Sequence, residues 1–395
     1  MPKQYLFTSE SVTEGHPDRL CDTISDALVD QFLKQDPYSR IIAESAISKG
    51  MIFVAARFAS KANVDIANVA RTVVAGVGYR QQDFDTADCT VVTSLITMPA
   101  EQRIQVDESD LATAEMDRYT VHNQVTLFGY ACTHTPELMP LPITLADKVA
   151  KGLTLARSEG RMPYLSPDCT TQVGVIFENR IPTRIHSVTV IAGLQGSQPP
   201  DTALIRADLQ KEVISRIFAN EALKPDKDTE IFINPRGVFP KSGPMSHSGM
   251  TGRKTAAETY GCYARHSASA LSGKDPSRID RVGTYAARYA AKNIVAAGLA
   301  DECEVQLSYS LGHARPVSIH IQTFGTATIE EEIIQERLEK HFDFRLGSII
   351  SEFNLRHLPG ESKSGFYRKL AVNGQLGKSY CELPWEKTDR AELLL

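Results

Sequence analysis

The chain has 395 residues, of which 42% are hydrophobic, 23% charged and 7% aromatic. That balance holds enough apolar side chain for a sizeable core and excludes a disordered, collagen-like or disulfide-scaffold protein. Lys and Arg total 43 against 48 Asp and Glu, a formal net charge of -5, which excludes nucleic-acid binding through bulk charge while leaving local basic clusters open.

In chain order, the first residues, Met1 to Phe7, run directly into polar Thr8-Ser9-Glu10, without the apolar stretch of a signal peptide. No apolar run approaches the ~18 residues that a membrane span needs, so a soluble, cytoplasmic protein is expected. Residues 17–35 carry Cys21, Ile24, Leu28 and Phe32 near one face, with Pro17 suited to the first helical position, and predict a helix. Segments 51–58, 89–96, 171–178 and 185–192 are apolar and β-branched, with partial alternation, and predict strands. Residues 203–218 place Leu204, Leu209, Val213 and Ile217 on one side of a helix. Residues 284–298 form an Ala-rich helix that stops at Gly298. Segments 304–311 and 317–324 flank a loop over 312–316 and predict a hairpin. Breaks near 99–110, 195–201 and 224–229 interrupt the pattern, and the first and last suit domain boundaries. The fold class is therefore α+β, with mixed or antiparallel sheets covered by helices. No G-x-G-x-x-G follows a strand, which argues against a dinucleotide-binding Rossmann domain. Seven cysteines at 21, 89, 132, 169, 262, 303 and 381 include no C-x-x-C pair, so no zinc ribbon or thioredoxin motif is available, and they read as thiols in a reducing compartment.

Three segments concentrate Gly, Pro and charge. In the first, Gly15-His16-Pro17-Asp18 forces a sharp start to the helix and aims His16 and Asp18 from its first turn, where a metal or phosphate could approach. Asp22, Asp26 and Asp30 continue the four-residue spacing and read as a solvated acidic face. In the second, 243–254, repeated Gly lets backbone N–H groups approach an anion beside Arg253 and Lys254. It is not a Walker A loop, because Lys254 does not follow Gly. The third, 271–281, packs Lys274, Arg278 and Arg281 with Asp275 and Asp280. Phosphate-neutralising cations beside Mg²⁺-holding carboxylates are what a nucleoside-triphosphate site needs, although a solubilising surface loop has the same composition.

Taken together, TSESVTEGHPD at 8–18, FINPRG at 232–237, GMTGRK at 249–254, SGKDPSRIDR at 272–281, YAARYAAKNIVAAGLA at 285–300 and PWEKTD at 384–389 resemble the S-adenosylmethionine synthetase (methionine adenosyltransferase) family, with further matches at FGYA 128–131, MPLPIT 139–144 and LSPD 165–168. The resemblance implies three similar βαββαβ-type subdomains around a pseudo-threefold axis, over 1–108, 118–238 and 239–395. It implies a homodimer, or a dimer of dimers, with active sites between subunits and no nucleic-acid or membrane partner. The family displaces triphosphate from C5′ of ATP with the methionine sulfur and cleaves the triphosphate to pyrophosphate and phosphate, assisted by Mg²⁺ (two ions) and K⁺.

Carried over residue by residue, the resemblance makes His16, Arg253, Lys254 and Lys274 the catalytic and phosphate-binding groups. Asp168 and Phe239 join the ATP side, with Phe239 beside the adenine, and Asp18 and Asp280 are the Mg²⁺ ligands. Glu44 is the K⁺-site glutamate. The acceptor side departs from the family pattern. Arg57 stands at the methionine-binding glutamate, Met98 at a glutamine, Asn123 at an aspartate, His247 at the aspartate that helps hold methionine and ribose, and Arg278 at a lysine. Leu311 belongs to the same altered pocket. Two unit charges ~4–5 Å apart at an effective dielectric of ~20 interact by roughly 3–4 kcal/mol, so reversing the charge at position 57 works strongly against an ammonium group there. The leading expectation is therefore an adenosyltransferase whose acceptor is not methionine, or is methionine bound differently. A genuine S-adenosylmethionine synthetase and an ATP hydrolase or nucleotide-binding regulatory subunit are the alternatives.

Overall fold

The structure is a computed structural model describing residues 3–198, 200–237, 239, 241–378 and 382–395; Met1, Pro2, Val238 and Cys381, named above, lie outside it. The elements bearing on the site begin with β1 (Gln4–Val12), α1 (Pro17–Gln35), β2 (Arg40–Ser48), β3 (Met51–Ala59), α2 (Ile66–Gly76) and β4 (Thr90–Thr97). Then follow β5 (Val125–Cys132), α3 (Leu141–Ser158), β6 (Leu165–Glu178), β7 (Ile181–Leu194), α4 (Thr202–Leu209), α5 (Ser215–Phe218) and β8 (Glu230–Ile233). The chain ends with β9 (Gly249–Met250), α6 (Thr255–Glu258), α7 (Ile279–Ala296), β10 (Glu302–Tyr309), β11 (Ser318–Gln322) and short helices.

The expected α+β architecture is present. The strands form three sheets, ordered β1-β6-β7-β8, β11-β10-β5 and β4-β3-β2-β9. One long helix backs each sheet: α3 lies on β1 and β6, α7 on β5 and β10, and α1 on β2. The sheets draw strands from distant parts of the chain. β1 pairs with β6 over nine residues, β5 joins the C-terminal hairpin, and β9 adds to the N-terminal sheet through Ala46–Met250 and Ile47–Gly249. β1, β5 and β9 thus each join a sheet built mainly from a distant part of the chain, which ties the three sheets together.

The predicted strands and the β10–β11 hairpin form where the alternation places them. The predicted helix over 203–218 is α4 and α5 joined by one wide turn at Gln210–Ile214. Burial on one face of each sheet follows sequence alternation, as in β2, where Ile41, Ala43, Ser45 and Ile47 are buried. Of the six described cysteines all are free thiols, and Cys262 alone is exposed. No helix among the described residues is long and apolar enough to cross a membrane.

One expectation is overturned. The aspartates at 22, 26 and 30 of α1 do not face water: they are 0%, 0% and 4% exposed. α1 lies between its own sheet and the C-terminal segments, so its acidic stripe meets donors from those segments. Asp22 accepts from Gly252 N–H (2.7 Å), Asp26 takes both oxygens to Arg281 (2.6 and 2.6 Å), and Asp30 accepts from Tyr367 and Arg368 N–H (2.9 and 2.9 Å). The 271–281 segment is likewise no solvated loop. Leu271, Ser272, Asp275, Ser277, Ile279 and Arg281 are buried, and Arg281 stacks on the Tyr367 ring.

Candidate active site

The site forms at the N-terminus of α1. Four residues link β1 to α1, and backbone bonds pin them to β6: Thr13 N–H to Cys169 O (3.0 Å) and Gly15 N–H to Pro167 O (3.1 Å). His16 is the N-cap. Its Nδ1 accepts from Asp18 N–H (3.2 Å), satisfying one of the helix's free donors, while Pro17 needs none. An acceptor Nδ1 places the neutral ring's proton on Nε2. Burial is the main force lowering His16, to about 4, so the ring is uncharged near neutrality.

Asp18, in the first turn, is 1% exposed and collects three donors. Lys254 Nζ lies 3.0 Å from Oδ2, Met250 N–H donates to Oδ1 (3.0 Å), and Arg253 stands 3.5 Å from Oδ1. Burial works against the Asp18 carboxylate, but Lys254 and the Met250 amide outweigh it and hold the group below its ordinary value. The closeness of β9 to α1 requires glycine at 249, since a Cβ there would collide with the Pro17 backbone. From β6, Asp168 accepts Gly243 N–H (2.7 Å) and lies 2.9 Å from His247 Nε2. That hydrogen bond is the main cause raising His247. The His247 ring meets the His16 ring edge-on, 5.0 Å between centroids. Phe239 bridges to Gly193, where a Cβ would collide with the Asp168 carbonyl and Ser242. His16, Asp18, Asp168, His247, Arg253 and Lys254 are therefore one cluster, with Phe239 at its margin.

A second cluster gathers at the other end of β2. Ala43 N–H bonds Gly273 O (2.8 Å), Ile42 bridges Lys274, and Ile41 N–H donates to Asp275 (2.7 Å). Lys274 Nζ is 3.4 Å from Asp280 Oδ1, and Asn123 Nδ2 lies 3.2 Å from both Asp280 oxygens. Burial pulls the Lys274 ammonium below its ordinary value, against the opposing pull of Asp280. Arg57 is opposite Ile42 on β3. Arg278 is lowered chiefly by burial, with the nearby charges of Arg57 and Arg40 adding to that effect and Asp275 opposing it. Met98 follows β4 and bonds Phe58 O (2.8 Å), beside Arg57. Leu311, 61% exposed, sits in the β10–β11 loop, which bonds Val121 on both sides, next to Asn123.

Four residue steps along β2 separate Met250, paired at Ala46, from Lys274, bridged at Ile42, which is about 13 Å at ~3.3 Å per residue. Within one chain the two clusters are thus neighbours rather than one pocket. Between them, on the sheet face turned away from α1, lies exposed Glu44. The same face carries Met51, Phe53, Val92, Ile96 and Met250, all among the exposed large hydrophobics. Arg40 and His122, in contact with each other, and Tyr79, whose hydroxyl donates to Gly15 O (2.5 Å), also line these clusters. Motif reading missed all three. The two-residue Lys49-Gly50 connection offered a signal for Arg40, because the register it sets puts position 40 on Arg57's face of the hairpin.

Asp18 and Asp280 suit Mg²⁺ by donor chemistry, being buried carboxylates with hard oxygens, and in this chain the Lys254 and Lys274 ammonium groups lie against them. Glu44 brings one carboxylate to its face, and no other acid among the described strand residues shares it, so a K⁺ site there is incomplete on one chain.

Family models of S-adenosylmethionine synthetase match three stretches: the N-terminal domain over residues 4–99, the central domain over 118–239 and the C-terminal domain over 241–387. The S-adenosylmethionine synthase of Trichormus variabilis is 44% identical over 411 residues, covering 100% of this chain and 97% of that protein. That of Gloeothece citriformis is 43% identical with the same coverage, and that of Thermosynechococcus vestitus is 44% identical over 98% of this chain and 96% of its own. The chain belongs to the S-adenosylmethionine synthetase family of transferases.

Proposed function

We propose that the chain transfers the 5′-adenosyl group of ATP to a small acceptor held by an anionic group. The observation that carries this reading is the pair of clusters: Lys254 and Arg253 beside His16 at one, and Arg57, Arg278 and Arg40 around Lys274 at the other. A triphosphate leaving from C5′ carries about four negative charges, and fixed cations in a partly buried site stabilise them as they develop. Lys254, Arg253 and Lys274 bind and orient the phosphates. His16, neutral with its proton on Nε2, offers a donor without adding a charge. Asp168 orients His247, and Phe239 supports the adenine. Mg²⁺ held by Asp18 and Asp280 would supply further charge neutralisation at the phosphates.

The ~13 Å between clusters supports a site completed by a second copy. A twofold axis near Glu44, lying in the plane of the exposed apolar face and perpendicular to β2, would set one copy's Lys254 cluster against the other's Lys274 cluster and bury the exposed hydrophobics. We therefore propose a homodimer across the β4-β3-β2-β9 sheet, the three units keeping the boundaries 1–108, 118–238 and 239–395.

At the acceptor end, arginines favour a carboxylate and disfavour an ammonium. Methionine bound through its carboxylate satisfies this, and so does an acceptor lacking the amine. A second reading, methionine held in the ordinary pose, is favoured by full-length similarity to proteins named S-adenosylmethionine synthase. Mass spectrometry of reactions containing ATP, Mg²⁺ and either methionine or its deaminated analogue, 4-(methylthio)butanoate, separates the two. Comparable adenosylation of both supports the arginine-held acceptor; adenosylation of methionine alone supports the ordinary pose and contradicts it.

A further inference from the structure

His16, Asp168 and His247 each offer one ligating atom, and these three atoms all lie within 4.8 Å of one another. We infer that these residues form a binding site for a borderline transition-metal cation of the Zn²⁺ class, distinct in chemistry from the carboxylate positions suited to Mg²⁺. Two imidazoles and one carboxylate are the ligand set that selects Zn²⁺, Co²⁺ or Ni²⁺ over Mg²⁺, which demands six oxygen ligands in octahedral order.

The three residues are differently anchored, and that decides how the site closes. His16 is fixed as the α1 cap and Asp168 by the Gly243 amide, and both are nearly buried. The His247 side chain is 42% exposed, on the glycine-rich loop, and already touches both partners. Tetrahedral ligands at ~2.0–2.1 Å from an ion stand about 3.3 Å apart, so a modest rotation of His247 brings the set into range. Coordination through Nε2 moves the Nε2 proton of each neutral ring to its Nδ1 by way of solvent, so His16 gives up its bond from Asp18 N–H and His247 its bond to Asp168. Three protein ligands leave a fourth position for water or an anion. Lys254 opposes a nearby cation, while Asp168 and Asp18 favour it.

The test uses the full-length protein, freed of metal by chelation and titrated with Zn²⁺ or Co²⁺ in excess Mg²⁺. A single Zn²⁺ per chain by calorimetry and a Co²⁺ visible absorption band that Mg²⁺ does not remove are expected. His247→Ala should weaken Zn²⁺ by at least about tenfold. His247→Cys should retain binding and add a thiolate-to-Co²⁺ charge-transfer band in the near ultraviolet, which a merely altered fold would not produce. Absence of saturable Zn²⁺ binding, binding unaltered in His247→Ala, or a His247→Cys protein without the new band would overturn the site. None of these readouts uses ATP turnover, so the site stands or falls apart from the proposed adenosyl transfer.

Discussion

At the residue scale, charge placement separates the two ends of the site. Lys274 is nearly enclosed, paired with Asp280 and pulled below its ordinary ammonium value by burial. A cation kept in so dry a place interacts strongly with an incoming phosphate. Lys274→Ala should therefore reduce kcat/KM for ATP by at least about 100-fold, near 3 kcal/mol, in steady-state assays; near-normal turnover would remove it from the phosphate site. The cations and His16 were legible because they sit in Gly- and Pro-punctuated motifs that a core does not need. Arg40, His122 and Tyr79 were not, because each sits in ordinary surroundings in sequence and gains its place only through strand register or a long-range contact.

The α1 helix shows, at the element scale, where one-dimensional reading runs out. A four-residue repeat of aspartate has the same appearance whether it meets water or buried partners. Here the distant Arg281 and the 366–368 backbone reverse the solvated reading. Two stability predictions follow from that burial. Arg281 and Asp26 are both 0% exposed, and removing one partner leaves an uncompensated charge, so Arg281→Ala should destabilise by about 3–5 kcal/mol in denaturant titrations. Burial pushes Asp30 to about 6, above its unfolded value near 4. The protonated folded form is thus favoured at low pH, and Asp30's contribution is lost as pH rises from about 4 through about 6. Relative to Asp30→Asn, the native protein should lose up to about 3 kcal/mol across that window. A difference between the two that stays flat with pH would contradict the buried carboxylate.

For the whole molecule, mixed or antiparallel sheets covered by helices were readable from alternation and helical spacing and their threefold repetition only from the family resemblance, whereas the exchange of β1, β5 and β9 between sheets was in neither. No local pattern records which distant edge a strand will join. That interlacing holds the Lys254 and Lys274 clusters at opposite ends of β2. If two copies complete each site, mixing Lys254→Ala with Lys274→Ala protein, each inactive alone, should regenerate activity. Free exchange of subunits makes half the dimers mixed, each with one intact site of two, so about one quarter of wild-type turnover is expected. No recovery after verified exchange would place each site within one chain. The central claim, displacement at C5′ of ATP, is tested most directly by a complete product inventory from ATP, Mg²⁺ and acceptor, by phosphorus NMR and mass spectrometry together. Adenosylated acceptor, pyrophosphate and phosphate in equal amounts without ADP is the predicted result; ADP and phosphate, with no adenosylated product, would contradict it.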